Sequence, residues 1–466
     1  MRPDELLSLW SVSKAASTSE PFVASANVKV ALSGLQSGTA IRCELEQLRG
    51  RSVLLAMDDQ IDAALSLLEL DGMVRRLILC PADISKAHLP AIADRAEIDV
   101  IVSDREPGFF QDIGAPVIKV GRDIEKAKPD RLATHVTEWV LFTSGTTGIP
   151  KMAVHTLSGL TGAIRRGRSH DTSQIWATFY DIRRYGGLQI FLRAISGNCS
   201  LVLSSRDETL SDHLATLAKH NVTHVSGTPS HWRRVLMSGS AQKISPNYVR
   251  LSGEIADQGV LDGLRALYPQ ARIVHAYAST EAGVGFEVKD GREGFPASLV
   301  GRAGGNVELK VQDGSLRVRS SRAALAYLGE KRIQIEKEDG FVDTGDLVEL
   351  RGDRYYFTGR KDGAINVGGQ KVSPEEVEAV INRHPRVHHS LVHARKSPII
   401  GSLVVAEIVP KELFVDGGAN GECKDLEDEI RAVCFQNLAR HKVPAQIRFV
   451  SSLPMTVGGK LARNNA

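Results

Sequence analysis

The sequence predicts an α/β fold: a large N-terminal domain of layered strands and helices plus a small β region, then a small α+β C-terminal domain. The chain has 466 residues, which exceeds the roughly 250–300 residues at which one hydrophobic core usually stops growing. As far as about Arg302, short β-branched runs alternate with helical patterns, which favours parallel sheets covered by helices. Beyond Arg302 the pattern changes to short polar–apolar alternations separated by turns, which is typical of antiparallel strands.

The alternation in the first part comes from individual segments. Predicted strands lie at 52–56, 77–80, 100–102, 200–203, 223–225 and 272–274. Predicted helices lie at 61–70, 91–96, 213–220 and 262–267. A helix between two strands is the repeating unit of a parallel α/β sheet.

The remainder of the chain predicts two smaller units. Strands at 308–312, 315–319, 341–342 and 355–357 form the small β region, and a glycine-punctuated stretch at 358–369 follows. Helices at 374–383 and 426–438 and strands at 390–394 and 403–408 complete a compact α+β unit. We place the domains at 1–361 and 362–466, since about 100 residues is a normal domain size.

Composition and charge are those of an ordinary globular protein. Hydrophobic residues make up 42% and charged residues 24% of the chain, and 58 basic against 55 acidic residues leave a formal net charge of +3. These values favour neither nucleic acid nor a membrane as a partner. The five cysteines are scattered without a C-x-x-C pair, and the N-terminus lacks a signal-peptide pattern, so we expect a cytoplasmic protein. The sequence does not predict an oligomeric state.

The segment from Thr143 to Lys151 has the composition of a polyphosphate-binding loop. A hydrophobic run leads into it, so a strand is expected to deliver the chain to the loop. Glycines let backbone amides approach a polyanion closely, and hydroxyls and a lysine add donors and charge. The spacing differs from G-x-x-x-x-G-K-[ST], so this is not a Walker P-loop, and a plain surface turn would leave the hydroxyls and the lysine unexplained. The phosphate-binding candidates are Thr143, Ser144, Gly145, Thr146, Thr147, Gly148 and Lys151.

Four further motifs follow the loop along the chain. They are Tyr277-Ala278-Ser279-Thr280-Glu281, Thr344-Gly345-Asp346, Thr358-Gly359-Arg360-Lys361-Asp362 with residues 372–378 after it, and Pro454 through Lys460. In this order the five segments resemble the motifs of the adenylate-forming superfamily, of the AMP-dependent synthetase and ligase type. That superfamily includes acyl-CoA synthetases, nonribosomal peptide adenylation domains and firefly luciferase. The resemblance covers most of the chain; Ala278, Met455 and Gly458 depart from the residues usual in relatives.

The resemblance implies three catalytic residues. Lys460 would bridge the substrate carboxylate and the α-phosphate of ATP, where two anions must meet. Thr280 would hydrogen-bond a phosphate oxygen, and Glu281 would hold Mg²⁺, a hard cation that prefers oxygen ligands.

The resemblance also implies how the nucleoside binds. Tyr277 offers a flat face on which adenine could stack. Asp346 would accept hydrogen bonds from the ribose hydroxyls, and Arg360 is a donor fork for the same sugar. Further nucleotide contacts are implied for Ser252, Gly253, Glu254, Ala278, Ser279 and Lys371.

The acid substrate is expected to lie against residues 179–188 and a histidine at 231. Arg184 stands where many acyl-CoA synthetases have a histidine, and Asp181 invites comparison with the aspartate that binds an amino acid's α-amine in adenylation domains. His231 resembles a pocket histidine of aryl-CoA ligases, with an exposed loop histidine as the alternative. The acid-binding candidates are Tyr180, Asp181, Arg184, Gly187 and His231.

Relatives rotate the C-terminal domain about a hinge between two half-reactions, which makes the small domain mobile. Asp362 matches the hinge position. Gly368 and Gly369 would then provide the path for a thin pantetheine arm, although a tight turn before the next helix explains the same two glycines.

The sequence thus predicts a ligase that uses ATP to convert a small carboxylic acid into an acyl-adenylate, releases pyrophosphate and transfers the acyl group to CoA. The close alternative is a freestanding adenylation enzyme that loads the phosphopantetheine of a carrier protein. A non-catalytic ATP-binding protein is a remote third possibility, and a luciferase-like oxygenase rests on fold analogy alone.

Overall fold

The structure, a computed structural model, describes residues 8–13, 20–128, 130–143, 149–164, 173–302, 305–329, 333–335, 337–367, 370–397, 401–411, 420–456 and 460–462. The α-helices in these ranges are α1 (Leu9–Ser13), α2 (Gln60–Leu70), α3 (Leu89–Ala96), α4 (Leu157–Thr161), α5 (Tyr185–Ser196), α6 (Leu210–Lys219), α7 (Pro229–Met237), α8 (Gln258–Leu267), α9 (Pro374–Ile381) and α10 (Asn420–Asn437). Within the same ranges, no helix is long and apolar enough to cross a membrane.

The strands fall into three successive groups. The first is β1 (Phe22–Ala24), β2 (Lys29–Ala31), β3 (Gly38–Ile41), β4 (Ser52–Leu55), β5 (Arg76–Leu79), β6 (Val100–Ser103), β7 (Val117–Lys126), β8 (Glu138–Thr143), β9 (Lys151–Thr156), β10 (Ile175–Thr178), β11 (Ser200–Val202), β12 (His224–Gly227), β13 (Tyr248–Ser252), β14 (Arg272–Ser279) and β15 (Gly283–Val288). The second is β16 (Phe295–Pro296), β17 (Val307–Gln312), β18 (Ser315–Ser320), β19 (Ala326–Leu328), β20 (Ile333–Gln334), β21 (Lys337–Glu338), β22 (Phe341–Arg351) and β23 (Arg354–Arg360). The third is β24 (Ile365–Val367), β25 (Gln370–Val372), β26 (Val387–Ser397), β27 (Gly401–Pro410) and β28 (Gln446–Phe449).

Two large sheets make up most of the N-terminal domain. One has the strand order β15-β14-β13-β12-β10-β11-β1-β2, and the other has the order β20-β19-β9-β8-β5-β4-β6-β7-β3. Pairing is parallel from β14 through to β1 and from β8 through to β7, with antiparallel strands at the margins. Helix α2 is buried on all sides, as expected for a helix enclosed in a core shared by two layers. This confirms the predicted α/β class.

The smaller units match the sequence prediction as well. Strands β16, β23, β22, β18 and β17 form an antiparallel sheet in that order. The C-terminal unit has the strand order β25-β24-β27-β26, with β28 parallel to β27. Helices α9 and α10 pack on this sheet around a separate core that includes Val377, Ile408 and Leu426. A small α+β domain with its own core is therefore confirmed, whereas the boundary at residue 362 stays a prediction.

Helices α2 and α6 begin earlier than their hydrophobic pattern predicts, and a polar side chain caps each of them. Asp59 accepts the amide of Ile61 at the start of α2, and Thr209 accepts the amide of Asp212 at the start of α6. Such caps satisfy amides of the first turn that have no partner inside the helix. The periodicity of apolar residues does not predict this first turn.

Helix α5 depends on one glycine that the sequence assigns to the acid site. A methyl group on Gly187 would lie 2.2 Å from the carbonyl oxygen of Asp181, whereas one on the adjacent Gly186 would lie 3.6 Å from the ring of Tyr180. The first distance is a clash and the second is ordinary contact. Gly187 therefore has a packing role: it lets α5 approach the backbone that precedes it.

We predict that Gly187→Ala lowers the free energy of unfolding by about 1–3 kcal/mol, the usual cost of overpacking a core. The matched variant Gly186→Ala should leave stability unchanged or raise it by up to about 1 kcal/mol, because alanine favours a helix over glycine. Urea denaturation followed by circular dichroism measures both. Equal stabilities of the two variants would contradict the packing role of Gly187.

Candidate active site

The nucleotide motifs of the N-terminal domain lie where strands end. Ser252 is the last residue of β13, Ser279 is the last residue of β14, and Thr143 is the last residue of β8. Carboxyl ends of neighbouring parallel strands meet at one edge of a sheet, which is the usual ligand-binding edge of α/β folds. Strands β8 and β9 form a hairpin that pairs Thr143 with Lys151, so the two ends of the candidate phosphate loop lie opposite each other.

Asp346 is held by a tyrosine and an arginine from two other strands. The hydroxyl of Tyr277 donates to its Oδ2 at 2.5 Å, and Nε of Arg360 lies 3.7 Å from its Oδ1. The arginine is in place because Asp346 and Arg360 face each other across the β22–β23 pair. Burial raises the pKa of Asp346, while Tyr277 and Arg360 act in the opposite direction. The sequence predicted these three residues to share one site, and the structure brings them together.

The ring of Tyr277 belongs to an aromatic cluster. It stacks with Phe286 at a centroid distance of 5.5 Å and with Phe357 at 5.3 Å. Burial, followed by the charge of Asp346, raises the pKa of Tyr277 well above its ordinary value, so the hydroxyl stays protonated as a donor. These contacts fix the ring in one orientation, and its role as a platform for adenine stays a prediction.

A tyrosine that the sequence did not single out joins the loop to the candidate Mg²⁺ ligand. The hydroxyl of Tyr327 donates to Oε1 of Glu281 at 3.1 Å, and Nζ of Lys151 lies 5.3 Å from the centre of the same ring. Strand β19 carries Tyr327 alongside β9, with Tyr327 opposite Ala153. A single tyrosine thus contacts both the lysine at the end of the candidate loop and the candidate Mg²⁺ ligand. In the sequence, Tyr327 lies in a short strand pattern. That pattern does not indicate a function for the tyrosine.

The lysine of the C-terminal motif is held against the N-terminal domain. The amide of Leu461 donates to Oε1 of Glu254 at 3.0 Å, and Oε2 of the same carboxylate accepts the amide of Ser230 at 2.9 Å. Gly253 has a φ of +86°, and a methyl group there would lie 3.5 Å from Cε of Lys460. Lys460 is therefore next to the segment 252–254.

Charged groups from several elements surround Lys460. Its pKa is lowered by burial of the ammonium and by the cations Arg360 and Arg184, and is opposed by the carboxylates Glu254 and Asp346. The residue as a whole is exposed to solvent. An ammonium in this position can neutralise an incoming anion.

The region predicted to bind the acid contains a buried aromatic group. The hydroxyl of Tyr180 donates to the carbonyl of Ser252 at 2.7 Å. His231 stacks on Phe179 with ring centres 5.4 Å apart and meets the edge of Tyr180 at 5.9 Å. His231 is 9% exposed, so the alternative of an exposed loop histidine is wrong.

His231 also caps its own helix. Its Nδ1 accepts the amide of Thr228 at 3.1 Å, and its own amide donates to Oγ1 of Thr228 at 3.0 Å. Burial lowers the pKa of His231 to about 3. The ring is therefore neutral at physiological pH, and the bond at Nδ1 assigns the proton to Nε2.

Two further acid-site candidates have protein partners. Asp181 is 7% exposed and accepts Nε of Arg183 at 2.7 Å, so its charge is neutralised inside the protein. This pairing disfavours the interpretation of Asp181 as a ligand for an amino group. Nη2 of Arg184 donates to both carboxylate oxygens of Asp83, at 2.5 and 2.7 Å, and Arg184 acts electrostatically on Lys460.

Other candidates are less constrained or lie outside the described residues. Oγ of Ser279 accepts the amide of Ala282 at 3.0 Å, while Ala278 and Thr280 are half-buried nearby. Lys371 is exposed on β25, and no contact with the site is described for it. The positions outside the described residues are Ser144, Gly145, Thr146, Thr147, Gly148, Gly368 and Gly369, together with the side chain of Asp362.

Nucleotide motifs at strand ends, with a lysine supplied by a second domain, define the adenylate-forming class of fold and site. A family model for AMP-binding enzymes matches residues 60–323, and the model for the C-terminal domain of AMP-binding enzymes matches residues 376–460. The chain belongs to the AMP-binding enzyme family.

Its relatives include several CoA ligases. The chain is 27% identical over 352 residues to the mitochondrial acyl-coenzyme A synthetase ACSM4 of Rattus norvegicus, a match that covers 70% of the chain and 60% of that protein. It is 28% identical over 341 residues to a 2-succinylbenzoate–CoA ligase of Listeria monocytogenes, covering 70% and 69%. The chain thus spans about 60% of the length of the mitochondrial relatives that it matches.

The fold is shared with solved CoA-ligase structures. A benzoate CoA ligase from Burkholderia xenovorans superposes with a TM-score of 0.76 at 18% identity, covering 97% of each chain. An anthranilate CoA ligase in complex with anthranoyl-AMP gives a TM-score of 0.75 at 18% identity, covering 98% of this chain and 95% of the other.

We predict that His231 makes stability dependent on pH. The unfolded histidine binds a proton below its ordinary pKa of 6.5, whereas the folded one resists protonation down to about pH 3. The stability that its neutral burial provides is therefore complete above pH 6.5 and is lost as the pH falls towards 3. His231→Asn keeps an acceptor for the amide of Thr228 and removes the titration. As the pH falls from 6.5 to 4.5, the free energy of unfolding should decrease in both proteins. The decrease should be smaller in the variant, by up to about 1.4 kcal/mol per pH unit, as measured by urea unfolding. If the free energy of unfolding depended on pH in the same way in both proteins, the pH dependence assigned to His231 would be contradicted.

Proposed function

We propose that this protein is an ATP-dependent ligase that activates a small carboxylic acid as an acyl-adenylate and then transfers the acyl group to the thiol of CoA. The observation that carries the proposal is the position of Lys460 beside Glu254, with Asp346 and Arg360 acting on its charge. A lysine from one domain thereby reaches the nucleotide motifs of the other. Membership of the AMP-binding enzyme family and the CoA ligases among its relatives support the same chemistry.

The proposed first half-reaction is attack of the acid's carboxylate on the α-phosphate of ATP. Since both groups are anions, catalysis consists of positioning and charge neutralisation. Lys460 lies between the two and offsets their repulsion. Asp346 and Arg360 hold the ribose, and the segment 144–148 with Lys151 holds the departing pyrophosphate.

Mg²⁺ is the proposed metal cofactor, and it supplies charge neutralisation on the phosphate oxygens. The carboxylate of Glu281 fits this group, since it offers hard oxygen donors and Tyr327 holds it at Oε1. Mg²⁺ usually keeps several waters and binds through one or two carboxylates plus substrate phosphates. A lone glutamate near the loop is therefore sufficient on the protein side.

In the proposed second half-reaction, the acyl carbon passes from the adenylate to a thiol and AMP leaves. Rotation about Asp362 would withdraw Lys460 and bring Gly368 and Gly369 to the site. CoA is the proposed acceptor because the relatives reported above are CoA ligases. Loading of a carrier protein is the second candidate, since it presents the same pantetheine arm.

The direct test is acid-dependent exchange of labelled pyrophosphate into ATP across aryl, fatty and dicarboxylic acids, with AMP as the product and thioester formation on adding CoA. Exchange is expected with at least one acid class. Release of ADP without exchange would contradict adenylation, and thioester formation with a carrier protein but not with CoA would select the second candidate.

Lys460→Ala separates the two half-reactions. Loss of a preorganised donor of this kind usually costs about 10²–10³ in rate, so exchange should fall by at least about a hundredfold. Thioester formation from a supplied acyl-adenylate should be largely preserved. An equal fall in both reactions would show that Lys460 does not have the proposed role. Lys219→Ala, at an exposed lysine at the end of α6, is the matched control and should leave both reactions unchanged.

A further inference from the structure

A group of arginines lies beneath the candidate active site around a single glutamate, Glu287 of β15. Nη1 of Arg250 donates to Oε1 of Glu287, and Nη2 of Arg193 lies 3.5 Å from the same atom. Arg322 donates to the carbonyl of Val284 on the same strand at 3.0 Å. We call Arg193, Arg250 and Arg322 the arginine cluster.

The arginine cluster carries more positive charge than its described carboxylate partner neutralises. Burial opposes ionisation of Glu287, yet Arg250 and Arg193 hold its pKa down at about 2. Lys289 also lies 3.4 Å from Glu287, which adds a further cation. The pKa of Arg193 is lowered by burial and then by Arg250. Arg250 itself is only 4% exposed, so water screens its charge little.

Several polar atoms near the arginine cluster are buried without a hydrogen-bond partner. Among the described residues these include Nε of Arg193, Nε of Arg322 and Oε1 of Gln189. Buried polar groups are nearly always paired in native proteins, and each exception needs an explanation. Buried donors on two different arginines without an acceptor are the arrangement expected of a site that can bind an anion.

The arginine cluster is continuous with the region where the acid is proposed to bind. On α5, Tyr185, Gln189 and Arg193 are four residues apart, so they share one face of the helix. That face begins beside Arg184, at the end of the helix nearest Lys460. On β13, Arg250 is two residues before Ser252 and on the same side of the sheet. The cluster therefore lies about 7 Å below Ser252 along the strand.

We propose that the arginine cluster binds a second negatively charged group of the acid substrate, so that the preferred substrates are dicarboxylic acids. This inference rests on the proposed adenylation function. One carboxylate of the substrate faces Lys460, and the other pairs with guanidinium groups of the cluster. A guanidinium presents a planar donor fork that matches a carboxylate, and the unpaired Nε atoms supply donors already in place.

The distance from Ser252 to the arginine cluster limits the length of the substrate. A rise of about 3.3 Å per residue along β13, with the length of the side chains, favours two carboxyl groups about 6–10 Å apart. Aliphatic dicarboxylic acids of roughly six to eight carbons and aromatic acids with a short acidic arm match this span. A purely structural ion-pair group is the competing explanation, and it predicts no dependence on the second carboxylate.

The test compares pyrophosphate exchange for pairs of acids of equal length, with and without the second carboxylate, such as adipate with hexanoate and suberate with octanoate. The dicarboxylic acid should give a kcat/KM at least about tenfold higher in one or more pairs. Arg193→Gln should reduce this preference by about tenfold or more, mainly through KM for the dicarboxylic acid. Arg193→Lys, which keeps the charge and loses the fork, should give an intermediate value. Arg351→Gln, an exposed arginine paired with Glu349, should leave the preference unchanged.

Each outcome decides between the explanations. Exchange with monocarboxylic acids at an equal or higher kcat/KM overturns the dicarboxylate inference and leaves the adenylation function intact. Loss of exchange in Arg193→Gln by the same factor for both acids assigns the cluster a structural role and also overturns the inference. Absence of exchange with every acid overturns the proposed function together with the inference. If Arg193→Gln does not fold, Arg322→Gln applies the same test from another element.

Discussion

One carboxylate, that of Glu254, joins the C-terminal lysine motif to the N-terminal domain, and the candidate site depends on this contact. Its two oxygens accept backbone amides from opposite domains, Ser230 at the start of α7 and Leu461 next to the catalytic lysine candidate. An anion at the first turn of a helix is itself favourable, because the amides there have no partner inside the helix. The same carboxylate moderates the charge of Lys460. Without this contact, the backbone beside Lys460 would lose its hydrogen bond to the N-terminal domain.

Much of this arrangement is predictable from the sequence because it follows from local rules. Strand–helix alternation specifies parallel sheets, and strand ends that share an edge bring Ser252 and Ser279 near each other. The pairing of β22 with β23 follows from a short turn between two alternating runs, and it places Arg360 opposite Asp346. The order of the motifs then predicts the family, which the matches at residues 60–323 and 376–460 confirm.

The parts that the sequence does not reveal depend on contacts between distant segments. Asp181 is a candidate ligand in the sequence, and only the structure shows that it pairs with Arg183 inside the protein. Tyr327 and Glu254 act through partners that lie 46 and 207 residues away, so neither periodicity nor motif spacing indicates their roles. The arginine cluster is assembled from α5, β13 and the segment after β18, and none of its members stands out alone. The preference for a particular acid is therefore harder to predict from the sequence than the type of reaction, because the pocket is built from tertiary contacts.

The central claim is that the Glu254 contact holds Lys460 in position for adenylation. Glu254→Gln keeps the size of the side chain but offers one acceptor oxygen for two amides and removes the charge. Hydrogen bonds to charged groups are typically worth about 1.5–3 kcal/mol, so pyrophosphate exchange should fall by roughly tenfold to a hundredfold. Thioester formation from a supplied acyl-adenylate should be unchanged or faster, because the variant releases the C-terminal domain more readily. Unchanged exchange, or an equal fall in both half-reactions, would contradict the claim.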